Sequence, residues 1–337
     1  MTTAAPPFAD ALASPSAALV LDGGLSLQLE SAGHDLGDAL WSARLLVEDP
    51  EALVAAHLAF YEAGADVVTS AGYQATFEGF ARRGIGRERA AGLLALSVDL
   101  VRRAARRAAG LLALSVDLVR RAARRAAAAG AGRPLWVAAS AGPHGAMLAD
   151  GSEYRGRYGI GTAALEAFHR PRLEVLAAAA PDVLALETVP DADEARALLR
   201  AVRGLGVPAW LSYTVSGDRT RAGQPLEEAF GLLADAEEVV AVGVNCCAPE
   251  DALRAVEVAA RVTGKPVVVY PNSGERWDAA ARGWRGRPAF SADLAEEWRE
   301  AGARLIGGCC RVGPDTVAAV AERLRGRGPG RDQGAQG

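Results

Sequence analysis

Four cysteines stand as two adjacent pairs, Cys246-Cys247 and Cys309-Cys310, far apart along the chain. A secreted disulfide framework spreads its cysteines along a short chain, whereas clustered cysteines in a long intracellular chain more often bind metal or act in catalysis. Zinc prefers sulfur and nitrogen ligands, and a catalytic zinc site uses three protein ligands and leaves the fourth position open. The two pairs therefore predict a zinc site, and four buried, inert cysteines are the alternative.

The surroundings of each pair indicate which sulfur atoms can meet. Cys246 follows an apolar run, and Cys309 and Cys310 follow Gly307-Gly308 after another such run. Adjacent side chains on a regular strand point to opposite faces, so two vicinal cysteines can both bind one ion only where the strand ends. The flanking glycines permit such a turn. We therefore expect Cys246, Cys309 and Cys310 to be ligands, and Cys247 to point away as a small buried residue.

Two carboxylates occupy comparable places, because Asp22 ends one apolar run and Glu187 follows another. The histidines offer little competition as ligands, since no two of them are spaced i, i+4: they are His34, His57, His144 and His169. His57 and His169 fall in helical patterns, and we expect them to be surface or core residues.

Eight short apolar or β-branched runs alternate with longer amphipathic segments. The predicted strands are Leu19–Asp22, Asp66–Thr69, Pro134–Ser140, Asp182–Leu186, Pro208–Thr214, Val240–Asn245, Pro266–Pro271 and Arg304–Gly308. The predicted helices lie near 50–63, 87–128, 161–179, 191–203, 225–235, 249–262, 291–301 and 313–325. This alternation implies parallel βαβ units, and eight of them favour a (β/α)8 TIM barrel over an open doubly wound sheet. The cysteines and carboxylates would then share the carboxyl-end mouth of the barrel, where active sites of this fold lie.

An 18-residue segment occurs twice in tandem without a single difference, as residues 91–108 and 109–126. Eighteen residues complete about five helical turns, roughly 27 Å, so the duplication lengthens a helix without rotating its apolar face. One barrel cannot bury two copies of that face at one position. We expect one copy to dock and the other to overhang, bulge or pack on a neighbouring subunit, with Gly110 as the easiest place for a break.

Composition narrows the class of protein. The chain has 337 residues, half of them hydrophobic, and a net charge of −4 without a basic stripe, which argues against nucleic acid as a partner. No signal peptide and no apolar run long enough for a bilayer are recognisable, so we expect a cytoplasmic protein without a membrane partner. We expect a single domain at 18–325, with disordered segments at 1–17 and 326–337.

Six short motifs together resemble the homocysteine S-methyltransferase family over residues from about 18 to 325, interrupted only by the second repeat copy. They are Asp22-Gly23-Gly24, Ser140-Ala141-Gly142-Pro143-His144-Gly145, Leu186-Glu187-Thr188-Val189-Pro190, Gly243-Val244-Asn245-Cys246, Tyr270-Pro271-Asn272-Ser273-Gly274-Glu275 and Gly307-Gly308-Cys309-Cys310-Arg311. The cysteine signature is the specific part, and the other motifs would be weak alone.

The resemblance implies a zinc-dependent enzyme of methionine biosynthesis on a (β/α)8 barrel. Its zinc would be bound by the cysteines already named, Glu187 would hold the homocysteine amino group, and Asp22 and Gly23 would lie beside the substrate. Trp41 and Tyr73 match aromatic positions near the methyl-donor pocket, although packing against a loop would also explain them. The repeat departs from the family pattern.

The expected reaction moves a methyl group from a sulfonium, S-methylmethionine or S-adenosylmethionine, to the homocysteine thiolate. Zinc deprotonates a bound thiol, and aromatic rings can face the sulfonium through cation–π contact. Betaine remains an alternative donor, whereas a methyl-folate route through cobalamin would need domains for which the chain has no room. Two other classes stay open: a structural-zinc or redox protein, in which Cys247 would be a fourth ligand, and an interaction protein that docks or oligomerises through the doubled helix.

Overall fold

The computed structural model describes residues 7–13, 18–37, 40–122, 133–278 and 283–326, and for residues 110–122, 276–278 and 283–284 it describes the backbone alone. Eight parallel strands form the centre of the fold: β1 Leu19–Val20, β2 Val67–Thr69, β3 Trp136–Ala141, β4 Val183–Val189, β5 Ala209–Tyr213, β6 Val239–Asn245, β7 Val267–Tyr270 and β8 Ala303–Ile306.

The strands close into a barrel in chain order. Each strand from β2 to β7 pairs in parallel with the next strand along the chain, and β8 pairs with β1. A parallel bridge between Leu21 and Val67 joins β1 to β2, with the Asp22 N–H donating to the Val67 carbonyl at 3.1 Å. The eight predicted strands and the (β/α)8 barrel are therefore confirmed, and the doubly wound alternative is wrong.

One short helix precedes β1, and the helices that follow the strands form the outer layer. They are α1 Phe8–Leu12, α2 Leu25–Ser31, α3 Leu45–Glu48, α4 Pro50–Glu62, α5 Phe77–Ala81, α6 Arg87–Ala122, α7 His144–Leu148, α8 Thr162–Ala178, α9 Ala192–Val202, α10 Leu226–Gly231, α11 Pro249–Thr263, α12 Ala292–Glu300 and α13 Pro314–Arg325. The described residues also form two 3-10 turns, at Trp41–Arg44 and Ser152–Tyr154. Two small hairpins pair Val215–Ser216 with Arg219–Thr220 and Arg276–Asp278 with Gly283–Arg285.

Local sequence explains where several helices begin. The Asp49 carboxylate accepts a hydrogen bond from the Ala52 N–H at 3.1 Å, and Pro50 occupies the first helical position of α4. Thr76 caps α5 in the same way through the Gly79 N–H. At the other end of a helix, α11 stops at Gly264, whose φ of +64° suits glycine.

Two apolar clusters hold the layers together. The larger one joins the outward-facing strand residues to the helices. The smaller one fills the barrel interior, and its buried members are Phe8, Leu12, Leu19, Leu21, Val67, Trp136, Ala138, Val183, Ala185, Trp210, Ala241, Val268, Tyr270 and Leu305. Because side chains fill the inside of the barrel, ligands have access only at its ends.

The long helix α6 runs through both copies of the repeat and continues through Gly110. In the first copy Leu94, Val98 and Val101 are fully buried, so this copy docks on the barrel layer. The side chains of the second copy lie outside the described residues, so its overhang, bulge or intersubunit contact stays a prediction.

The amino-terminal segment differs from expectation. Residues 7–13 include α1, whose Phe8 and Leu12 are buried in the barrel-interior cluster. These residues had been expected to be disordered, but the short Ala/Pro-rich stretch supplies two apolar side chains to one end of the barrel. Residues 1–6, 14–17 and 327–337 lie outside the described residues. Within the described part of the chain, no helix has both the length and the apolar character that a bilayer crossing demands.

Candidate metal and substrate site

Three sulfur atoms meet at the carboxyl-end mouth of the barrel. The Sγ atoms of Cys246, Cys309 and Cys310 lie within 4.8 Å of one another. Cys246 Sγ is 2.8 Å from Cys309 Sγ and 3.9 Å from Cys310 Sγ. No other group of three or more potential metal ligands occurs among the described His, Cys, Asp and Glu side chains. The cysteines predicted as ligands are thus brought together from two strand ends.

Backbone turns aim these thiols at one point. Cys246 follows β6 with a φ of +49°, a left-handed conformation that non-glycine residues adopt rarely. Cys309 and Cys310 lie beyond the end of β8, where Gly308 precedes them. A Cβ atom on Gly308 would lie 2.3 Å from Val312 Cγ1, so only glycine lets this turn fold back tightly. The expected turn is therefore present, and it releases both vicinal cysteines from strand alternation.

The donor set fits a divalent cation. Sulfur atoms bound tetrahedrally to one zinc at about 2.3 Å lie roughly 3.8 Å apart, so the Cys246–Cys310 separation agrees and Cys309 would move outward by about 1 Å. Hydrogen bonds from the Cys246 and Cys309 thiols hold the pKa of Cys310 well below its usual value. Hydrogen bonds with Cys246 and Cys310, together with burial, raise the pKa of Cys309 instead. A divalent cation bound among the three sulfur atoms would let all of them lose their protons and act as thiolate ligands.

Cys247 is separate from the cluster. It is fully buried in the outer apolar core, and burial raises the pKa of its thiol. Its carbonyl accepts a hydrogen bond from the Asn272 N–H at 2.9 Å. Cys247 thus lies in the apolar core, as expected, and is not part of the thiol group.

Glu187 lies at the mouth within a ready-made set of donors. The Ser140 hydroxyl donates to its Oε1, and the Tyr270 hydroxyl donates to its Oε2 at 3.0 Å. Tyr270 is in turn bonded to Trp210 Nε1 at 3.0 Å and to the Ser212 hydroxyl at 2.9 Å. Burial raises the pKa of Glu187 to about 7, against the effect of its hydrogen bonds. The groups that hold Glu187 are all neutral, so no positive charge among them balances the buried carboxylate. Such a carboxylate suits a cationic ligand group.

Asp22 and Gly23 lie beside the same opening. Asp22 Oδ2 accepts hydrogen bonds from the Thr69 N–H at 2.8 Å and the Thr69 hydroxyl at 2.9 Å. Burial raises the pKa of Asp22 to about 8, and the nearby Glu187 charge adds to the rise. A Cβ atom on Gly23 would lie 2.2 Å from the Val312 carbonyl oxygen, so this glycine allows the loop after β1 to approach the cysteine turn.

Trp41 and Tyr73 form a partly exposed aromatic wall. Their ring centres lie 6.4 Å apart with an interplanar angle of 68°. Burial raises the pKa of Tyr73 well above its usual value, and the charge of Cys246 adds to this effect. Tyr73 is therefore near enough to Cys246 to sense its charge, and Trp41 contacts the Tyr73 ring edge to face.

Two further tyrosines at the site had no role assigned from the sequence. Tyr270, at the carboxyl end of β7, holds Glu187, and its position at a strand end was a usable signal. Tyr154 lies in a glycine-rich loop after α7, where no periodic pattern marks it. Its hydroxyl makes the smallest named contribution to the lowered pKa of Cys310, after the larger effects of the two other thiols. The ring of Tyr154 remains 38% exposed.

None of the four histidines belongs to the thiol group. His57 and His169 are fully buried helical residues. His169 Nε2 lies 2.9 Å from Glu194 Oε1, and its Nδ1 lies 2.7 Å from Arg172 Nη2. Of the two placements expected for them, surface or core, both histidines therefore occupy the core.

Known proteins resemble this chain along most of its length. The sequence model of the family described as Homocysteine S-methyltransferase matches residues 19–324. Homocysteine S-methyltransferase of Escherichia coli is 42% identical over 310 residues, covering 90% of this chain and 94% of that protein. Homocysteine S-methyltransferase 1 of Arabidopsis thaliana is 40% identical, covering 91% and 94%. The crystal structure of the homocysteine methyltransferase MmuM from Escherichia coli in its metallated form has a TM-score of 0.75 and 40% identity, covering 91% of this chain and 96% of that one.

Proposed function

The chain belongs to the homocysteine S-methyltransferase family, and on that premise we propose that it binds zinc through Cys246, Cys309 and Cys310 and methylates homocysteine from a sulfonium donor. The methyl acceptor follows from the family, whereas the metal and the donor are our proposal. The meeting of three thiols from two distant strand ends, within 4.8 Å, is the observation that carries it.

Zinc, when bound, would supply a fourth coordination place in which the homocysteine thiol loses its proton and becomes nucleophilic. The residues of the chain arrange the rest. The Glu187 carboxylate would accept hydrogen bonds from the substrate ammonium, with Ser140 and Tyr270 holding it in place. Asp22 and Gly23 would lie beside the bound amino acid.

The methyl donor is proposed to be a sulfonium, with S-methylmethionine favoured. The thiolates give the mouth an excess of negative charge, which attracts a cationic donor. The faces of Tyr73 and Trp41 offer cation–π contact, worth roughly 0.5–2 kcal/mol. Methyl transfer to a thiolate needs little acid–base chemistry, which agrees with the absence of a histidine from the thiol group among the described residues. We also propose a cytoplasmic location, where thiols stay reduced.

Elemental analysis and turnover test this proposal together. We expect about one zinc per chain for the wild type and for Cys247→Ala, and little zinc for Cys246→Ala. Zinc-loaded protein is then incubated with homocysteine and, in turn, S-methylmethionine, S-adenosylmethionine or betaine, each carrying a deuterated methyl group, and labelled methionine is measured by mass spectrometry.

Each alternative has its own outcome. A structural zinc site with four protein ligands would lose its metal in Cys247→Ala. Label arriving from betaine alone would replace the sulfonium by that donor. Purified protein that carries no divalent metal, and cannot take one up, would contradict the zinc proposal.

A further inference from the structure

Arg221 is a cation at the barrel mouth that has no acidic partner within the described part of the chain. It follows the small hairpin after β5, and its backbone N–H donates to the Thr214 carbonyl at 3.2 Å. Its guanidinium carbon lies 6.0 Å from the centre of the Tyr154 ring. Its Nε is buried, without a hydrogen-bond partner among the described residues, and none of their acidic side chains forms an ion pair with it.

The neighbouring acidic side chain is already committed. Asp191, in the loop between β4 and α9, accepts hydrogen bonds from the Arg157 N–H at 3.0 Å and from Gln224 Nε2 at 2.8 Å. The Ala222 N–H, next to Arg221, bonds instead to the Pro190 carbonyl at 2.9 Å. A buried guanidinium N–H without a hydrogen-bond partner lowers the stability of the folded protein. The unpaired Nε–H of Arg221 therefore suits an anionic ligand group.

Arg221 is joined to the thiol cluster through Thr214. The Arg221 N–H donates to the Thr214 carbonyl at 3.2 Å, and the Thr214 hydroxyl donates to the Cys246 carbonyl at 3.1 Å. The partly exposed Tyr154 ring faces the guanidinium at 6.0 Å. A single residue, Thr214, therefore separates Arg221 from Cys246 along this hydrogen-bonded path.

We propose that Arg221 is the residue that binds the α-carboxylate of an amino-acid sulfonium donor. This inference rests on the proposed function. The polar groups assigned to homocysteine, Glu187 and Asp22, are buried deep in the mouth. Arg221 lies farther out, beside the exposed Tyr154. A donor whose methyl group points at the thiols would pass along Tyr154 and reach the guanidinium with its carboxylate, which arginine binds through two parallel N–H groups.

The test compares S-methylmethionine with its decarboxylated analogue, (3-aminopropyl)dimethylsulfonium, on wild-type protein, Arg221→Gln and Arg221→Lys. Arg155→Gln is the matched control, since Arg155 is an exposed arginine of the same rim paired with Asp150 at 3.8 Å. Donor binding to the zinc-loaded protein is measured by calorimetry without homocysteine, and KM values are measured separately.

We expect Arg221→Gln to weaken S-methylmethionine roughly tenfold or more in Kd and KM, as loss of a charge-assisted hydrogen bond does. The affinity for the analogue and the KM for homocysteine should not change in Arg221→Gln. Arg221→Lys should recover part of the lost donor affinity, and Arg155→Gln should bind the donor as wild type does. Equal loss with both donors, a changed homocysteine KM, or wild-type protein that binds both donors equally would overturn the carboxylate site. Absence of methyl transfer from either donor, with binding intact, would contradict the proposed function instead.

Discussion

A carboxylate that is held from two sides before substrate arrives can recognise an ammonium group with little reorganisation. Glu187 has this arrangement, with Ser140 on one oxygen and Tyr270 on the other. The left-handed backbone of Thr188, with a φ of +59°, turns the chain immediately after it. At the scale of single residues, therefore, site geometry depends on unusual backbone at strand ends as much as on side-chain type.

Glu187→Gln keeps the shape and removes the charge. We expect the KM for homocysteine to rise about 10- to 100-fold, because a hydrogen bond to a charged group is replaced by a weaker neutral one. Zinc content should stay near that of wild type. Glu174→Gln, on the exposed side of α8, is the control for loss of one negative charge. An unchanged KM for homocysteine in Glu187→Gln would remove this residue from the substrate site.

His57 should lower the stability of the folded protein in acid. It is fully buried, neither ring nitrogen has a hydrogen-bond partner among the described residues, and burial lowers its pKa to about 3. An unfolded histidine takes up a proton below about pH 6.5, and the folded one does so only near pH 3. The free energy of unfolding therefore falls as pH drops through that window, by roughly 1.4 kcal/mol per pH unit for this group.

His57→Leu should remove this sensitivity. We expect the variant to match or exceed wild-type stability at pH 7 and to gain progressively between pH 6 and pH 4 in urea unfolding. Part of the acid sensitivity will remain, because burial also lowers the pKa of His169 to about 4. His34→Leu, at a half-buried position, is the control. Parallel stability curves for wild type and His57→Leu would show that His57 does not contribute.

Sequence predicted the thiol group and the carboxylates because strand ends can be located from apolar runs. It did not identify Tyr154 or Arg221, since both lie in loops whose path depends on tertiary contacts. Arg221, for example, is positioned by two backbone hydrogen bonds. Its own N–H donates to the Thr214 carbonyl, and the N–H of its neighbour Ala222 donates to the Pro190 carbonyl in another loop. Cysteines and carboxylates at strand ends could thus be predicted from the pattern of apolar runs, whereas the positions of Tyr154 and Arg221 could not.

At the scale of elements, the duplicated helix presents the same face twice. The first copy docks, and flanking residues favour that choice: Arg87 lies over the Phe77 ring at 4.3 Å, and Ala90 is fully buried. Because the copies are identical, deleting either one produces the same polypeptide, so deletion cannot show which copy is docked. Paired substitutions at equivalent positions can.

Val98 and Val116 are equivalent residues of the two copies. Val98 is fully buried, so Val98→Asp places an unpaired charge in the core and should destabilise the protein by more than about 3 kcal/mol. Val116→Asp should cost less than about 1 kcal/mol if the second copy overhangs. Urea unfolding and homocysteine turnover measure both. Equal, large losses in the two variants would show that both copies are packed, and a harmless Val98→Asp would show that the second copy can replace the first.

At the scale of the whole molecule, the barrel explains why candidate site residues could be located from the pattern of apolar runs. Parallel strands in chain order carry every strand end to one mouth, so residues distant in sequence must meet there. The opposite end of the barrel has no such signal, and the sequence pattern did not indicate that the amino-terminal residues pack there. The α1 helix lies against the residues that open β3 and β5, with the Phe8 ring 6.3 Å from both Trp136 and Trp210.

The amino-terminal helix should therefore act as a plug that stabilises the barrel without touching its chemistry. Phe8 is only 3% exposed, and Phe8→Ala should cost about 3 kcal/mol through lost burial and the cavity left behind. Thermal unfolding should begin several degrees earlier, while the KM for homocysteine and the zinc content stay unchanged at temperatures where the variant is folded. Ile160→Ala removes an apolar side chain that is 41% exposed and serves as the control. If Phe8→Ala and Ile160→Ala unfold together with wild type, α1 contributes nothing to stability, and the closed lower end of the barrel must depend on the tryptophans alone.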